Sequence, residues 1–318
     1  MKVLVIQNRM GIGDLLIFLP YIYAISKELN APISLLARQN TRAKDLLKDN
    51  PHIKEVITLD RDDKNRSGRH QGFFGTLNLI KDLRKKNFDK SFTFNSSARY
   101  ALITKMAGII DRHQYPLFQK KNQNIIETAK NFINKHLKQN INSDSEIFID
   151  EKKINDAKNQ FKITSDKLHI VLGVGGSGPT KRVDAEKFIK FMDLINEVKN
   201  CIFYLAAGSN TIEQQIVDTI LNSTHKNNSV TLNKMDITDT LPIIKNCDLA
   251  VCNDSSFSHI SAALGIKTFV LMTDTPLLYG SYSSRMTAIL PEGLKDVTHD
   301  TLGKDKINPE EIYIKAKK

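Results

Sequence analysis

The chain has 318 residues, 41% of them apolar and 25% charged, with a formal net charge of +11. That length and balance fit a soluble globular protein of two domains, about 150 residues each, with two buried cores. The first apolar run ends at Gln7-Asn8-Arg9, too early for a secretory leader, and the stretch 15–25 is too short to span a bilayer, so a cytoplasmic protein is expected.

Residues 3–6 read as a buried first strand that runs into Gly11-Ile12-Gly13-Asp14 and then an apolar helix. Two glycines ahead of a helix let a backbone approach a ligand closely. Pro20 falls early in this helix and is either tolerated there or kinks it. Strands at 33–37, 55–59 and 92–94 then alternate with helices at 41–48 and 101–107, the rhythm of parallel strands with crossover helices. Residues 60–74 interrupt it as a polar loop. Its Arg61, Arg66 and Arg69 are either solvated or set to meet an anionic substrate. Between 125 and 163 Lys-rich helical patterns dominate around a polar break at 140–145. The expected division is 1–155 and 156–318, with the final helix free to pack back on the first domain.

The second half restarts the pattern. A strand at 169–172 meets the Gly-rich run 173–178. A helix at 185–198 follows, with Asp184 a plausible N-cap. Strands are expected at 201–206, 230–232, 249–252, 268–272 and 287–290, and helices at 212–221, 238–245 and 310–318. The chain's focal stretch is 248–263, where a buried strand stops at Asn253-Asp254 and a helix starts on serines. At such a strand end, free backbone N–H groups and the helix dipole suit a phosphate.

The candidate chemistry gathers at these turns. Gly173 to Gly178 satisfies a dinucleotide pattern, but Pro179, Thr180 and Lys181-Arg182 intervene before the helix. The next strand also ends at Ala206-Ala207-Gly208 without the acid expected on a ribose. A diphosphate fits better, with Gly176 and Thr180 on the loop and fixed cations beside it. Asp14 reads as a helix N-cap, a general base for an acceptor hydroxyl, or both. His259 shares a helix face with Ser255 and is either structural or functional. Glu213 favours a helix dipole or reaches a ribose hydroxyl. No nucleophile elbow, metal-binding His-Glu pattern or nucleic-acid motif accompanies them. Cys201, Cys247 and Cys252 lack metal-ligand spacing and read as core thiols in a reducing compartment. The basic charge reads first as a solvated face and next as attraction to anionic lipid, with no nucleic-acid partner.

Taken in order, Val3 to Ile6 with Gly13-Asp14, then Gly178-Pro179-Thr180-Lys181-Arg182, then Asn253-Asp254-Ser255 with His259 and Ala262-Ala263-Leu264-Gly265, resemble the family 9 glycosyltransferases. Those include the ADP-heptose:lipopolysaccharide heptosyltransferases. The resemblance implies an α/β GT-B architecture: two Rossmann-like domains with parallel sheets facing across a cleft, acceptor on the first and nucleotide-sugar on the second. It implies a metal-independent inverting transfer, with heptose as the first choice of sugar and no cofactor because the nucleotide-sugar is a substrate. By resemblance Asp14 matches the general base, and Lys181 a lysine on the donor phosphates that also serves catalysis. Gly13, Gly176, Thr180, Glu213, Asp254, Ser255, Ser256 and His259 are assigned to the donor side; the resemblance puts Arg99 on the acceptor side, and the polar loop adds Arg61 there as a contact for an anionic substrate. The implied partners are a nucleotide-diphosphate sugar and a lipopolysaccharide-type glycolipid, with peripheral contact at the anionic cytoplasmic face of the inner membrane. The family usually has Gly where Ser256 stands and Trp-Pro where Val183-Asp184 stand; these departures bear on donor choice rather than fold. Remaining readings are a GT-B enzyme with another donor, an epimerase, a non-catalytic nucleotide-sugar binder and, least favoured, a dehydrogenase.

Overall fold

The computed structural model describes residues 1–117, 124–137, 141–142 and 144–317. The chain divides into two compact units between residues 143 and 144. Asn140, Ser143 and Lys318, which fall in segments read above, lie outside the described residues.

The first unit runs β1 (Val3–Ile6), α1 (Ile12–Glu28), β2 (Ile33–Arg38), α2 (Ala43–Leu46), β3 (Ile53–Leu59), α3 (Gly72–Arg84), β4 (Lys90–Thr93), α4 (Ala98–Met106), β5 (Asp111–Gln114) and α5 (Ile125–Leu137). Its strands are all parallel, in the order β3-β2-β1-β4-β5. Helices cover a parallel sheet, so β1 is apolar and buried at every position. Helix α1 is buried from Leu15 to Ser26 and runs through Pro20 without a break. The inner faces of α3 and α4 pack through Leu79, Ile80, Leu83, Tyr100 and Ile103 onto the same core as Leu4, Ile6 and Leu36 of the sheet.

Two local expectations change here. Strand β5, with sequence DRHQ, has no apolar alternation to reveal it; it is an edge strand, where charged residues are favoured. The loop after β3 ends at Gln71 rather than residue 74. Helix α3 starts at Gly72, and its exposed Phe73 and Phe74 mask the amphipathic pattern.

The second unit runs α6 (Glu151–Gln160), β6 (Leu168–Gly173), α7 (Ala185–Asn196), β7 (Cys201–Ala206), α8 (Thr211–Leu221), β8 (Ser229–Thr231), α9 (Ile237–Lys245), β9 (Leu249–Asn253), α10 (Ser256–Ala263), β10 (Lys267–Leu271), β11 (Met286–Ile289) and α11 (Pro309–Ala316). Six parallel strands lie in the order β11-β10-β9-β6-β7-β8.

The expected boundary at 155/156 falls twelve residues late, because the segment before α6 already bonds within this unit. Ile147 N–H donates to the Ala263 carbonyl at 2.9 Å, and the Asp144 carboxylate accepts from the Ser283 and Ser284 hydroxyls, each at 2.6 Å. These are long-range bonds that residue patterns do not display. Helix α11 lies against α7, with Ile312 in the second core. All three cysteines are buried and unbridged.

In each sheet the strand order reverses at one place, between β1 and β4 in the first unit and between β6 and β9 in the second. Ligands of open α/β sheets bind outside the carboxyl ends of the strands at such switch points.

Candidate functional site

In the second unit the switch point brings together two loops far apart in sequence. Gly173, the last residue of β6, pairs with Cys252 of β9, so the Gly-rich run and the Asp254 turn leave the sheet side by side. Lys181 ends a short 3-10 turn, Pro179–Lys181, and its Nζ donates to Asp254 Oδ2 at 2.8 Å. Asn253, fully buried, ties the same loops together. Its Nδ2 donates to the Val174 carbonyl at 2.8 Å and its Oδ1 accepts from Val183 N–H at 3.4 Å. Thr180 offers its carbonyl to Thr273 Oγ1 at 2.8 Å.

Asp254 is only 5% exposed. Burial works to raise its pKa, but the charges of Lys181 and His259 outweigh that and hold the carboxyl below its usual value. His259 is buried, and burial lowers its pKa against the opposing pull of Asp254. A neutral imidazole results at pH 7. Its Nδ1 lies 3.1 Å from the Tyr282 hydroxyl, and the two rings stack with centroids 5.6 Å apart. Its Nε2 is 4.0 Å from Asp254 Oδ1, too far for a hydrogen bond.

Helix α10 begins at Ser256 with Ser255 as its N-cap residue, and no side chain caps it. Ser256 adopts helical backbone, so a side chain there carries no strain. Close by in sequence and on the adjoining loop, Ser255 Oγ and Arg182 Nη1 are buried with no hydrogen-bond partner. Buried donors are ordinarily paired, and two left open beside a helix N-terminus suit an anion.

Glu213 is the third residue of α8, whose cap Asn210 accepts from the Glu213 N–H at 3.0 Å. Its carboxylate turns inward, accepting from Gly176 N–H at 3.3 Å and from Gly208 N–H. A Cβ on Gly175 would collide with Glu213 Oε2, which is why glycine stands there. The side chain thus braces both glycine loops. Asp184 occupies the N-cap position of α7 but makes no capping bond; its carboxylate pairs with Lys304 at 3.1 Å instead.

In the first unit Asp14 is the third residue of α1, not its N-cap. Gly11 holds that position at φ 88°, a left-handed conformation that favours glycine. Asp14 Oδ1 accepts from Arg9 Nε at 3.0 Å. Burial raises the Asp14 pKa, and Arg9 offsets only part of the rise. Gly13 lies in the same turn.

Beyond β2 and β4 a group of guanidiniums converges. The Asp63 carboxylate accepts from both Arg38 Nη2 and Arg61 Nε, each at 2.6 Å. Arg99, at the start of α4, donates to the His70 carbonyl while its Nε is buried without a partner. Burial first, then the like charge of Arg61, lowers the Arg99 pKa. Three cations around one carboxylate leave net positive charge. Arg66 has no part in this group, and Arg69 is taken up by Asp82 at 2.8 Å. A cavity of about 690 Å³ also opens between the end of β5 and α5, lined by Tyr115, Glu127, Asn131, Phe132, Lys135 and His136. The Tyr115 hydroxyl is buried there without a partner.

So the structure joins Lys181 to Asp254 directly, places His259 4.0 Å from that carboxylate, sets Ser255 and Ser256 at the same helix start, and links Gly176 to Glu213. It places Gly13, Asp14, Arg61 and Arg99 on the first unit. Sequence reasoning gave Asn253 no role of its own and missed Arg38, Tyr115 and Tyr282. Asn253 and Arg38 close buried strands, and a polar residue ending an apolar run was the available signal for both. Tyr115 and Tyr282 had none. Among the described residues no group of three or more His, Cys, Asp or Glu is clustered as metal ligands are.

Comparison with known structures defines the class. The fold matches E. coli ADP-heptose LPS heptosyltransferase II at TM-score 0.71 and 19% identity, over 100% of this chain and 98% of that one. It matches a family 9 glycosyl transferase from Veillonella parvula at 0.79 and 18%, over 99% and 96%. It matches E. coli heptosyltransferase WaaC with ADP at 0.73 and 14%, over 100% and 99%. Two parallel α/β units of this kind constitute the GT-B glycosyltransferase fold. The sequence model of glycosyltransferase family 9 (heptosyltransferase) matches residues 76–301, and the chain belongs to that family. It is a glycosyltransferase. No curated protein matches it in sequence.

Proposed function

We propose that the protein transfers a sugar, heptose first among the options, from an ADP-type nucleotide diphosphate to a lipopolysaccharide-type glycolipid, with inversion. The observation that carries this is the meeting of Lys181 and Asp254 at 2.8 Å, 73 residues apart in sequence, at the start of α10. Family membership and the donors named for the matched structures support ADP-heptose.

In this reading the acceptor hydroxyl oxygen attacks the anomeric carbon while the bond from that carbon to the diphosphate oxygen breaks. The electron pair leaves on the diphosphate, and the hydroxyl proton passes to Asp14. A carboxylate whose pKa is raised is a stronger base for that proton. Lys181, the N–H groups opening α10, Ser255 Oγ and Arg182 supply donors for the charge on the leaving group. Gly176 and Thr180 border it, with Glu213 bracing the glycine loops. These groups support a metal-independent displacement without a cofactor. Ser256 and His259 complete the donor side, His259 by bearing on Asp254. Arg61 and Arg99, with Arg38, suit an anionic group of the acceptor.

A thermal-shift panel of ADP, UDP and GDP and their sugars tests the reading. A selective rise with ADP forms is expected; a ligand at about 100 times its Kd adds roughly 2.7 kcal/mol. A rise with UDP or GDP forms alone overturns the donor, and no rise with any nucleotide overturns the donor site. Product analysis with and without acceptor lipid separates transfer from epimerisation, which needs no acceptor.

A further inference from the structure

The outer faces of α3 and α4 are unlike the rest of the surface. Phe73 is 74% exposed, Phe74 78% and Leu77 47%, on successive turns of α3. Leu102 and Met106 are exposed on successive turns of α4, and Ile110, just beyond it, is 89% exposed. The two helices are neighbours in the same layer. Arg99 at the start of α4 bonds the His70 carbonyl just before α3, and Arg84 at the end of α3 bonds the Met106 carbonyl at the end of α4. They therefore run side by side in the same direction, and both expose large apolar side chains. The other exposed large apolar residues are scattered through the chain. Large exposed apolar side chains concentrated on two neighbouring helices mark an interaction surface.

The charge on the two helices is mainly positive. Helices α3 and α4 carry Lys81, Arg84, Arg99 and Lys105 against a single acid, Asp82, which is already paired with Arg69 and His70. Lys81 and Lys105 are exposed beside Leu77 and Met106. Exposed aromatics with cations at their flanks fit the boundary between headgroups and acyl chains, where rings insert and ammonium groups meet phosphate. No helix among the described residues is long and apolar enough to cross a membrane, so the contact would be made from one side.

We propose that the α3–α4 face docks the protein on an anionic lipid surface, Phe73 and Phe74 entering the interface and Lys81 and Lys105 meeting headgroup phosphates. This contact goes beyond the transfer reaction and stands or falls without it.

The test is co-sedimentation of the full chain with vesicles of phosphatidylethanolamine and phosphatidylglycerol, and with vesicles of phosphatidylcholine alone. Wild type should pellet with the anionic vesicles and stay in solution with the neutral ones, and salt should release it. Phe73→Ser with Phe74→Ser should cut binding about tenfold or more, since two aromatic anchors are lost. Its Tm should be unchanged because both rings are exposed. Lys81→Glu with Lys105→Glu should weaken binding chiefly at low salt. Wild type remaining in solution with anionic vesicles overturns the proposal, as does equal binding by the double Phe variant. A dimer in sedimentation that the Phe substitutions dissociate, without vesicle binding, overturns it in favour of a second copy of this chain. Nucleotide-induced thermal shifts, measured on the same samples, report separately on the donor site.

Discussion

Asp14 and Asp254 both lie near the switch points of their units, Asp14 after the first strand of its sheet and Asp254 after the fourth. Each follows a central parallel strand at a switch point, and each carboxylate meets one cation, Arg9 at 3.0 Å or Lys181 at 2.8 Å. Their acidities nevertheless move in opposite directions. Asp14 is raised because burial outweighs a half-exposed Arg9. Asp254 is more deeply buried, yet it is lowered, because Lys181 and His259 both act on it. What surrounds a buried carboxylate, not burial alone, sets the direction in which its acidity moves. The first arrangement suits taking a proton. The second suits holding a lysine where a diphosphate can use it.

Removing the proposed base should produce the largest effect. Asp14→Asn is expected to lower transfer by about 10²- to 10⁴-fold while nucleotide-induced thermal shifts persist. Near-normal turnover would erase the distinction between the two carboxylates. In wild type, transfer should fall on acidification through a pKa above the ordinary carboxylate value of 3.8, the direction set by Asp14 burial.

Asp254→Ala should instead act on stability. It strips Lys181 of its counter-charge, and breaking such a pair costs about 3–5 kcal/mol. Urea unfolding measures it, and a loss below about 1 kcal/mol would show the pair to be dispensable. Lys181→Ala should weaken nucleotide binding by about 10- to 100-fold, the worth of a hydrogen bond to a charged group. Unchanged titration calorimetry would remove its phosphate role.

The effect of His259 is smaller and depends on pH. Its folded pKa lies below its ordinary value of 6.5. Between those two values the unfolded chain binds the extra proton, so stability declines as pH falls below 6.5. His259→Gln should show a shallower decline from neutral to mildly acidic pH; an equal slope would mean that His259 titrates normally. Ser256→Gly should do least. It is expected to change donor affinity by under about threefold and stability by about 0.5–1 kcal/mol, because Ser256 already has helical backbone.

Much of the fold was legible in the sequence. Alternating apolar strands and helices gave both parallel sheets, since a buried parallel strand must be apolar along its length. The strand β5 was not, because an edge strand has no such requirement. The division between units was misplaced because Asp144 and Ile147 reach partners more than a hundred residues away. At the site, the turns after β1, β6 and β9 were visible as glycine and serine runs. The partners were not: nothing near Asp254 in the chain points to Lys181, and nothing near Glu213 points to Gly176.

Those turns are the part the amino-acid order settles unaided. Where an apolar run ends in glycine or serine before a helix, local geometry alone places free N–H groups at a strand end, as before Asp14 and after Asp254. Pairing, burial and the direction of each acidity shift belong to the folded units. They depend on distances across adjacent strands and on how much water remains, quantities that arise only when β6 and β9 lie side by side.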